Sequence, residues 1–273
     1  MNKNMDEVEF TIFDTETTGL EPASGDRIIE IAGIRFKDGQ RIAAFQTLVN
    51  PLRPVSEAAF KVNKITQDML KDAPGIETVM PGFLTFIQGS CLCSYNAGFD
   101  LEFLNNELKL LGRGKLEGII VVDILKMARR LLPGLERYAL WFVAERLGFK
   151  IQQAHRAFSD VELTWEVFNK LRETLEAKGI LDFTHFSNIF AINPDFLNNM
   201  NAQKLARIQE AIGLGAKLKI KYLSSSGFEV TQREILPRQI KQENGRSYLI
   251  GFCSLRNDER IFNIDGILHI ELV

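Results

Sequence analysis

The sequence FTIFDTETTG at residues 10–19 decides the fold that we predict for this chain. It belongs to an apolar run over residues 8–15, which is typical of a buried β-strand, and Asp14 and Glu16 stand at the end of that run. Alternation along a strand places both carboxylates on one face. Two like charges so close destabilise each other unless a proton or a cation neutralises them, and Mg²⁺ or Mn²⁺ prefers such oxygen ligands. For Asp-x-Glu alone we favour the alternative, a pair of solvated acids where the strand frays.

The residues after this strand predict a sheet that starts as an antiparallel meander. A second apolar run over residues 27–36 ends at Asp38-Gly39, and a third run over residues 41–49 follows. Asp-Gly between two such runs is a strong hairpin signal, and two-residue turns join antiparallel neighbours. Further along, one short buried strand and three helices are predicted over residues 119–123, 100–111, 138–147 and 161–175. The prediction is an α/β domain with a mixed sheet and flanking helices.

Composition excludes several classes of protein. The 273 residues are 45% hydrophobic and 25% charged, which rules out a disordered or collagen-like chain. Lys+Arg 33 against Asp+Glu 35 excludes a histone-like polycation that binds nucleic acid through bulk charge. No apolar stretch reaches the roughly 20 residues that span a bilayer, and the first residues are polar. We therefore expect a cytoplasmic protein with no membrane contact.

A change of pattern near residue 205 predicts two domains. Residues 1–175 mix strands and helices, residues 176–204 form a connector with one short helical piece, and residues 205–273 alternate in short strands split by Gly, Ser and Asn turns. Short antiparallel strands in under 70 residues predict a small SH3-like or Sm-like β-barrel as the second domain.

Three motifs with acidic residues occur in order along the first domain. They are DTETTG at residues 14–19, NAGFD at residues 96–100 and HRAFSD at residues 155–160. Together they resemble the motifs of the DEDDh branch of the DEDD exonuclease superfamily, the DnaQ-like group that contains the proofreading epsilon subunit of DNA polymerase III. The resemblance covers residues 7 to about 175. It implies a ribonuclease H-like fold and a metal-dependent 3′–5′ exonuclease.

The resemblance also implies roles for five residues. Asp14, Glu16 and Asp160 would hold the metal that carries the attacking water, while Asp14 and Asp100 would serve a second metal, both ions being Mg²⁺ or Mn²⁺. His155 would be the general base, and an imidazole with an ordinary pKa near 6.5 can take a proton at physiological pH. Taken alone, His155 would be a loop histidine without a role. Asp100 starts a helix, whose dipole favours the ionised carboxylate.

Substrate contacts follow from the same resemblance. The turn after the first carboxylates and the second motif would touch the terminal nucleotide through Thr17, Thr18, Leu20, Asn96 and Phe99. Leu20 is equally consistent with ordinary packing. The expected partner is nucleic acid with a free 3′ end, and single-stranded DNA is the form that we favour. A polymerase or DNA-repair protein is a further partner expected in trans. The alternatives are an RNA-trimming exoribonuclease and a non-catalytic nucleic-acid-binding regulatory protein.

The second domain resembles the WYL domain. The resemblance rests on the strings IKY, REILP, YLIG and RIF at residues 220–222, 233–237, 248–251 and 260–262, with Ser247 where the name-giving Trp would stand. It implies a bacterial source and a role in sensing a ligand or nucleic acid.

Basic residues of this domain suggest two readings. A phosphate-binding patch with a stacking platform would use Arg233, Arg238, Arg256, Arg260 and Tyr248. A solvated basic face explains these arginines equally well. For the lysine stripe that alternates with the apolar residues 218, 220 and 222, we favour the solvated face. His185 and His269 lie outside any motif, and we interpret them as structural or surface residues.

Overall fold

The computed structural model describes residues 3–150, 156–224 and 228–273 and divides the chain into two compact units. The first unit is Asn4–Glu173, and the second is Thr174–Val273 together with Lys3. The division lies close to residue 175, the predicted end of the first domain. Among the helices of the described residues, none is long and apolar enough to cross a membrane.

The first unit contains a mixed sheet with the strand order β3-β2-β1-β4-β5. The strands β1 to β3 form an antiparallel meander, and β4 and β5 run parallel to β1. Their bounds are Phe10–Thr17, Ile28–Lys37, Gln40–Leu48, Cys91–Ser94 and Val121–Asp123 for β1 to β5. The predicted mixed sheet is confirmed. At the predicted hairpin, Asp38 and Gly39 both have positive φ, 48° and 68°, as the favoured two-residue hairpin turns require.

Helices flank this sheet. Their bounds are Glu57–Asn63, Gln67–Lys71, Ile76–Ile87, Ala97–Leu110, Ile124–Leu131, Leu140–Arg146 and Ala157–Ala177 for α1 to α7. The apolar stripe of α7 packs on the sheet through Phe168, whose ring centroid lies 5.3 Å from that of Phe10 and 5.5 Å from that of Phe36. The carboxylate of Asp123 caps α5 by accepting hydrogen bonds from the amides of Leu125 and Lys126. These contacts fix both helices to the sheet.

The second unit contains an antiparallel sheet with the order β10-β6-β7-β8-β9. Its strands β6 to β10 are Leu218–Leu223, Val230–Glu243, Arg246–Cys253, Asp258–Asn263 and Ile267–Leu272. Residues 176–204, predicted to be a connector, form the end of α7, all of α8 (Phe183–Phe190) and the first half of α9 (Pro194–Leu214).

The predicted closed barrel is wrong. Within the described residues β9 and β10 form no ladder with each other, although closure of a barrel requires one between the first and last strands. Instead, α9 covers the apolar face of the sheet: Ile208 and Ala211 are fully buried in one cluster with Leu218, Ile220 and Ile235. The unit is therefore an open sheet covered by a helix.

Gly251 allows the close approach of β7 and β8. A Cβ atom there would lie 2.6 Å from the Leu236 carbonyl oxygen and 2.7 Å from Cγ2 of Ile235. We expect Gly251→Ala to lower the free energy of unfolding by about 1–3 kcal/mol, because backbone atoms must shift. As a control, Gly213→Ala in α9, where a Cβ meets nothing within 4 Å, should leave stability unchanged or raise it by up to about 1 kcal/mol. Urea unfolding of both variants checks this, and equal stability would contradict it.

Candidate active site

Three carboxylates come together at the end of β1. Asp14 and Glu16 lie two residues apart on this strand, and Asp160 lies in the first turn of α7. One carboxylate oxygen from each lies within 4.8 Å of the others. In the part of the chain that the structure describes, no other three acidic, cysteine or histidine side chains approach so closely.

The electrostatics of this cluster favour a cation. Burial, followed by repulsion from Asp160 and Glu30, raises the pKa of Glu16 to about 8. Burial and repulsion from Asp100 and Glu16 raise the pKa of Asp14 well above its usual range. A divalent cation would remove this repulsion, and the donors are all carboxylate oxygens, which suit Mg²⁺ or Mn²⁺. The residues therefore fit the metal that the sequence predicts.

Asp100 lies beside this cluster and is held by its own hydrogen bonds. It is 2% exposed, and its carboxylate accepts bonds from the Thr15 amide at 3.0 Å, the Thr15 hydroxyl at 2.7 Å and the Ser94 hydroxyl at 2.6 Å. Burial outweighs these bonds and raises its pKa to about 6. Burial thus acts against the effect expected of the helix dipole on Asp100, and that effect stays a prediction.

A buried ion pair fixes the start of α7. Glu30 of β2 is fully buried, and Arg156 donates to its carboxylate from Nη2 at 2.8 Å and from Nε at 3.0 Å. The amide of Ala157 donates to the same carboxylate at 3.2 Å. Because Ala157 begins α7, this pair sets the position of Asp160. Sequence reasoning missed Glu30, although an acid inside the apolar run IIEIA at residues 28–32 was a usable signal.

The turn after β1 is held by its own side chains. Thr17 is buried and donates to the Gly19 carbonyl, and Thr18 is fully buried and donates to Asp26 at 2.9 Å. Leu20 is 78% exposed. A further contact missed from the sequence comes from Asn63, which is buried, donates to the Thr17 carbonyl at 3.4 Å and lowers the pKa of Glu16 through a hydrogen bond.

The second motif lies at the start of α4. Asn96 is exposed with a φ of 67°, and its amide donates to Asp123 at 3.2 Å. Phe99 is half-buried, and its ring centroid lies 4.9 Å from that of Phe103. His155, the predicted general base, lies outside the described residues.

The strand register separates the residues of the predicted phosphate patch in the second unit. Arg233 pairs with Ile220 on the face that α9 covers, whereas Tyr248 alternates with buried Leu249 and points to the opposite face. The side chain of Arg260 shares the face of Phe262, two residues along β9. Arg238 forms an ion pair with Glu259 at 2.7 Å, and Arg256 follows the end of β8. The structure does not gather these five side chains on one surface.

A mixed sheet with three carboxylates at the end of its central strand gives the first unit a candidate site for a divalent metal ion. The profile described as "Exonuclease" matches residues 11–168, which is more than half of the chain, and the profile described as "WYL domain" matches residues 203–272. The chain therefore belongs to the exonuclease family, in its DnaQ-like branch, and carries a WYL domain in its second unit.

Named relatives are bacterial polymerase proteins. The chain is 43% identical to the DNA polymerase III subunit epsilon of Treponema pallidum over 166 residues, 60% of this chain and 76% of that protein. It is 39% identical over 183 residues to a DNA polymerase III PolC-type protein of Caldanaerobacter subterraneus, which is 67% of this chain and 13% of that protein. The DNA polymerase III subunit epsilon-like protein of Rhodobacter capsulatus matches at 38% identity over 66% of this chain and 26% of its own length. The chain thus spans a small part of the last two relatives.

Solved structures share the fold. Exonuclease X, solved in complex with 5′ overhanging duplex DNA, is 29% identical with a TM-score of 0.50 over 62% of this chain and 93% of that chain. The nuclease domain of 3′hExo, a DEDDh family member, is 19% identical with a TM-score of 0.56 over 66% of this chain and 97% of that chain. These matches confirm the predicted ribonuclease H-like fold of the first unit.

The crowded carboxylates make a prediction for the metal-free protein. The unfolded chain releases the proton of Glu16 near its ordinary pKa of 4.5, whereas the folded state keeps it up to about pH 8. Stability should therefore fall as the pH rises across this window and return as the pH falls. Thermal unfolding in chelator measures this trend, and Mg²⁺ should weaken it. Glu16→Gln should flatten the trend and the exposed control Glu57→Gln should not; a wild-type midpoint independent of pH would contradict the prediction.

The Glu30–Arg156 pair makes a second prediction. Arg156→Met leaves a buried carboxylate unpaired and should lower the free energy of unfolding by about 3 kcal/mol. This value is at the lower end of the range for a broken buried ion pair, because Arg156 is partly exposed. The matched control Arg41→Met, which removes an exposed pair with Glu162 at 3.7 Å, should cost less than about 1 kcal/mol. Chemical denaturation distinguishes the two variants, and similar losses would show that Glu30 does not depend on Arg156.

Proposed function

We propose that the chain is a metal-dependent exonuclease that releases nucleoside monophosphates from the 3′ end of nucleic acid, with single-stranded DNA as its substrate. The observation that carries the proposal is the cluster of Asp14, Glu16 and Asp160, whose repulsion calls for divalent cations. Two bound Mg²⁺ or Mn²⁺ ions would lower the pKa of an attacking water and neutralise charge on the attacking and leaving oxygens.

The proposed roles of the site residues follow from their positions. Asp14, Glu16 and Asp160 would hold the cations, and Asp100, beside Asp14, would support the second ion. His155 takes the proton of the attacking water as the general base. The terminal nucleotide lies against residues of the first turn and the second motif, namely Thr17, Thr18, Leu20, Asn96 and Phe99. The exposed side chain of Leu20, six residues from Asp14, supports a wedge against the last base.

DNA is favoured as the substrate by the relatives. Relatives that are 39% and 43% identical are named for DNA polymerase III, and a structural neighbour at 29% identity was solved with duplex DNA. The same names favour a polymerase as a partner in trans. The WYL domain would hold or sense nucleic acid or a ligand. Trimming of RNA requires the same chemistry and differs only in contacts to the 2′-hydroxyl.

Digestion of 5′-labelled single-stranded DNA and RNA of one sequence tests the proposal. With Mg²⁺ or Mn²⁺, a ladder that shortens from the 3′ end is expected, faster on DNA, and chelator should abolish it. Faster digestion of RNA would make the chain an exoribonuclease. No cleavage of either strand in either metal would overturn the enzyme and favour a binding protein.

Substitution of the carboxylates tests the site itself. Asp14→Asn and Asp160→Asn should each lower the rate by at least about 10³-fold, because several kcal/mol of charge stabilisation depend on these ligands. The control Glu162→Gln changes an exposed acid on the same helix and should keep the rate within about twofold of wild type. Thermal unfolding in chelator shows that each variant is folded. Full activity in either Asp→Asn variant would refute the metal assignment.

A further inference from the structure

A polar cavity lies within the second unit. Its volume is about 230 Å³, and α8, β6 and β10 contribute most of its walls. In the register, His269 of β10 pairs with Lys221 of β6, and Glu271 pairs with Lys219. These side chains alternate with buried residues such as Ile220, so they occupy the face of the sheet opposite to α9. Asp182, the N-cap residue of α8, His185 of α8 and Gln232 of β7 complete the cavity.

The two lysines of this cavity have carboxylates nearby but form no direct ion pair. Glu234 and Glu271 lie opposite Lys219 in the strand register, and Lys219 contributes to the lowered pKa of Glu234. Lys217, the first member of the stripe, is paired with Glu234 at 2.7 Å. Lys219 and Lys221 make no ion pair with any described residue. Asp182 already accepts a hydrogen bond from the amide of His185 as the cap of α8. The cavity therefore presents two ammonium groups without an acceptor of their own.

His185 and His269 add hydrogen-bond donors to the same cavity. His185 is 6% exposed, and its ring forms no hydrogen bond with the described residues. Its ring centroid lies 6.5 Å from that of His269, with the rings nearly perpendicular. Burial lowers the pKa of His185, to which Lys221, His269 and Lys204 add, while Asp182 opposes them. An anion at this place would supply the missing acceptor and favour the imidazolium form.

We propose that this cavity binds a small phosphate-class dianion through Lys219, Lys221, His185 and His269. The volume lies below the range of about 300–1,000 Å³ for sites of drug-sized ligands and corresponds to about eight waters, which fits a phosphate group with few further atoms. The carboxylates of Asp182 and Glu271 line the same cavity and oppose the binding of any anion, so the anion must lie nearer to the lysines and histidines. The small volume favours a compact anion over a nucleic-acid strand. The sequence alone favours a solvated lysine face, because it does not reveal that α8 borders these lysines.

Histidine NMR of the full chain tests this site independently of nuclease activity. The chain has three histidines, so His→Gln variants assign every imidazole resonance. In chelator and at constant ionic strength, inorganic phosphate should shift the signals of His185 and His269 saturably and raise the apparent pKa of His185, while His155 should not respond. The absence of a saturable shift, or an equal drift of all three signals, would overturn the proposal.

Lysine variants locate the anion. Lys221→Met should weaken phosphate binding at least tenfold, and the control Lys217→Met, on the same stripe but paired with Glu234, should change it less than twofold. Lys219→Met provides a second variant if Lys221→Met unfolds, as judged by thermal unfolding. Equal affinities in the Met variants of Lys217 and of the cavity lysines would refute the site. A parallel titration with deoxyadenosine monophosphate identifies the source: tighter binding than phosphate points to a nucleotide, and weaker binding to the free ion.

Discussion

Mutual repulsion among carboxylates is the constraint on which the first unit depends. Burial and repulsion from neighbouring carboxylates raise the pKa values of Asp14 and Glu16, so the remaining fold must hold these two residues and Asp160 together against this repulsion. The buried pair between Glu30 and Arg156 does so for α7, while Asp14 and Glu16 are fixed within the central strand. Holding the repelling carboxylates together costs folding stability, but it keeps the ligands in place for a cation.

Local patterns made much of the first unit predictable. The apolar run before Asp14 gave β1 its face alternation, and the Asp38-Gly39 turn specified a hairpin that needs positive φ at both residues. Spacing of apolar residues defined α7 because helix periodicity is a local property. The carboxylates of the cluster were found through their motifs, since each motif lies on one element and carries its own signal.

Long-range pairing explains what the sequence left open. Glu30 and Arg156 are 126 residues apart, and nothing local indicates that they meet. The burial of Asp100, which opposes the effect expected from its helix, likewise depends on β1 and β4. In the second unit, a bulge between Pro237 and Gln239 shifts the β7–β8 register. Because strand faces alternate, such shifts decide which side chains share a surface, and composition cannot reveal them.

An open sheet has two outer strands whose backbone groups can join a second chain, which is a route to aggregation. In the second unit one of these outer strands, β9, begins with Asp258, Glu259 and Arg260, all exposed. Charged side chains on an outer strand oppose the docking of another strand, because docking would remove these charges from water. Arg260, which the sequence assigned to a binding patch, therefore also helps to keep another strand from pairing with this edge.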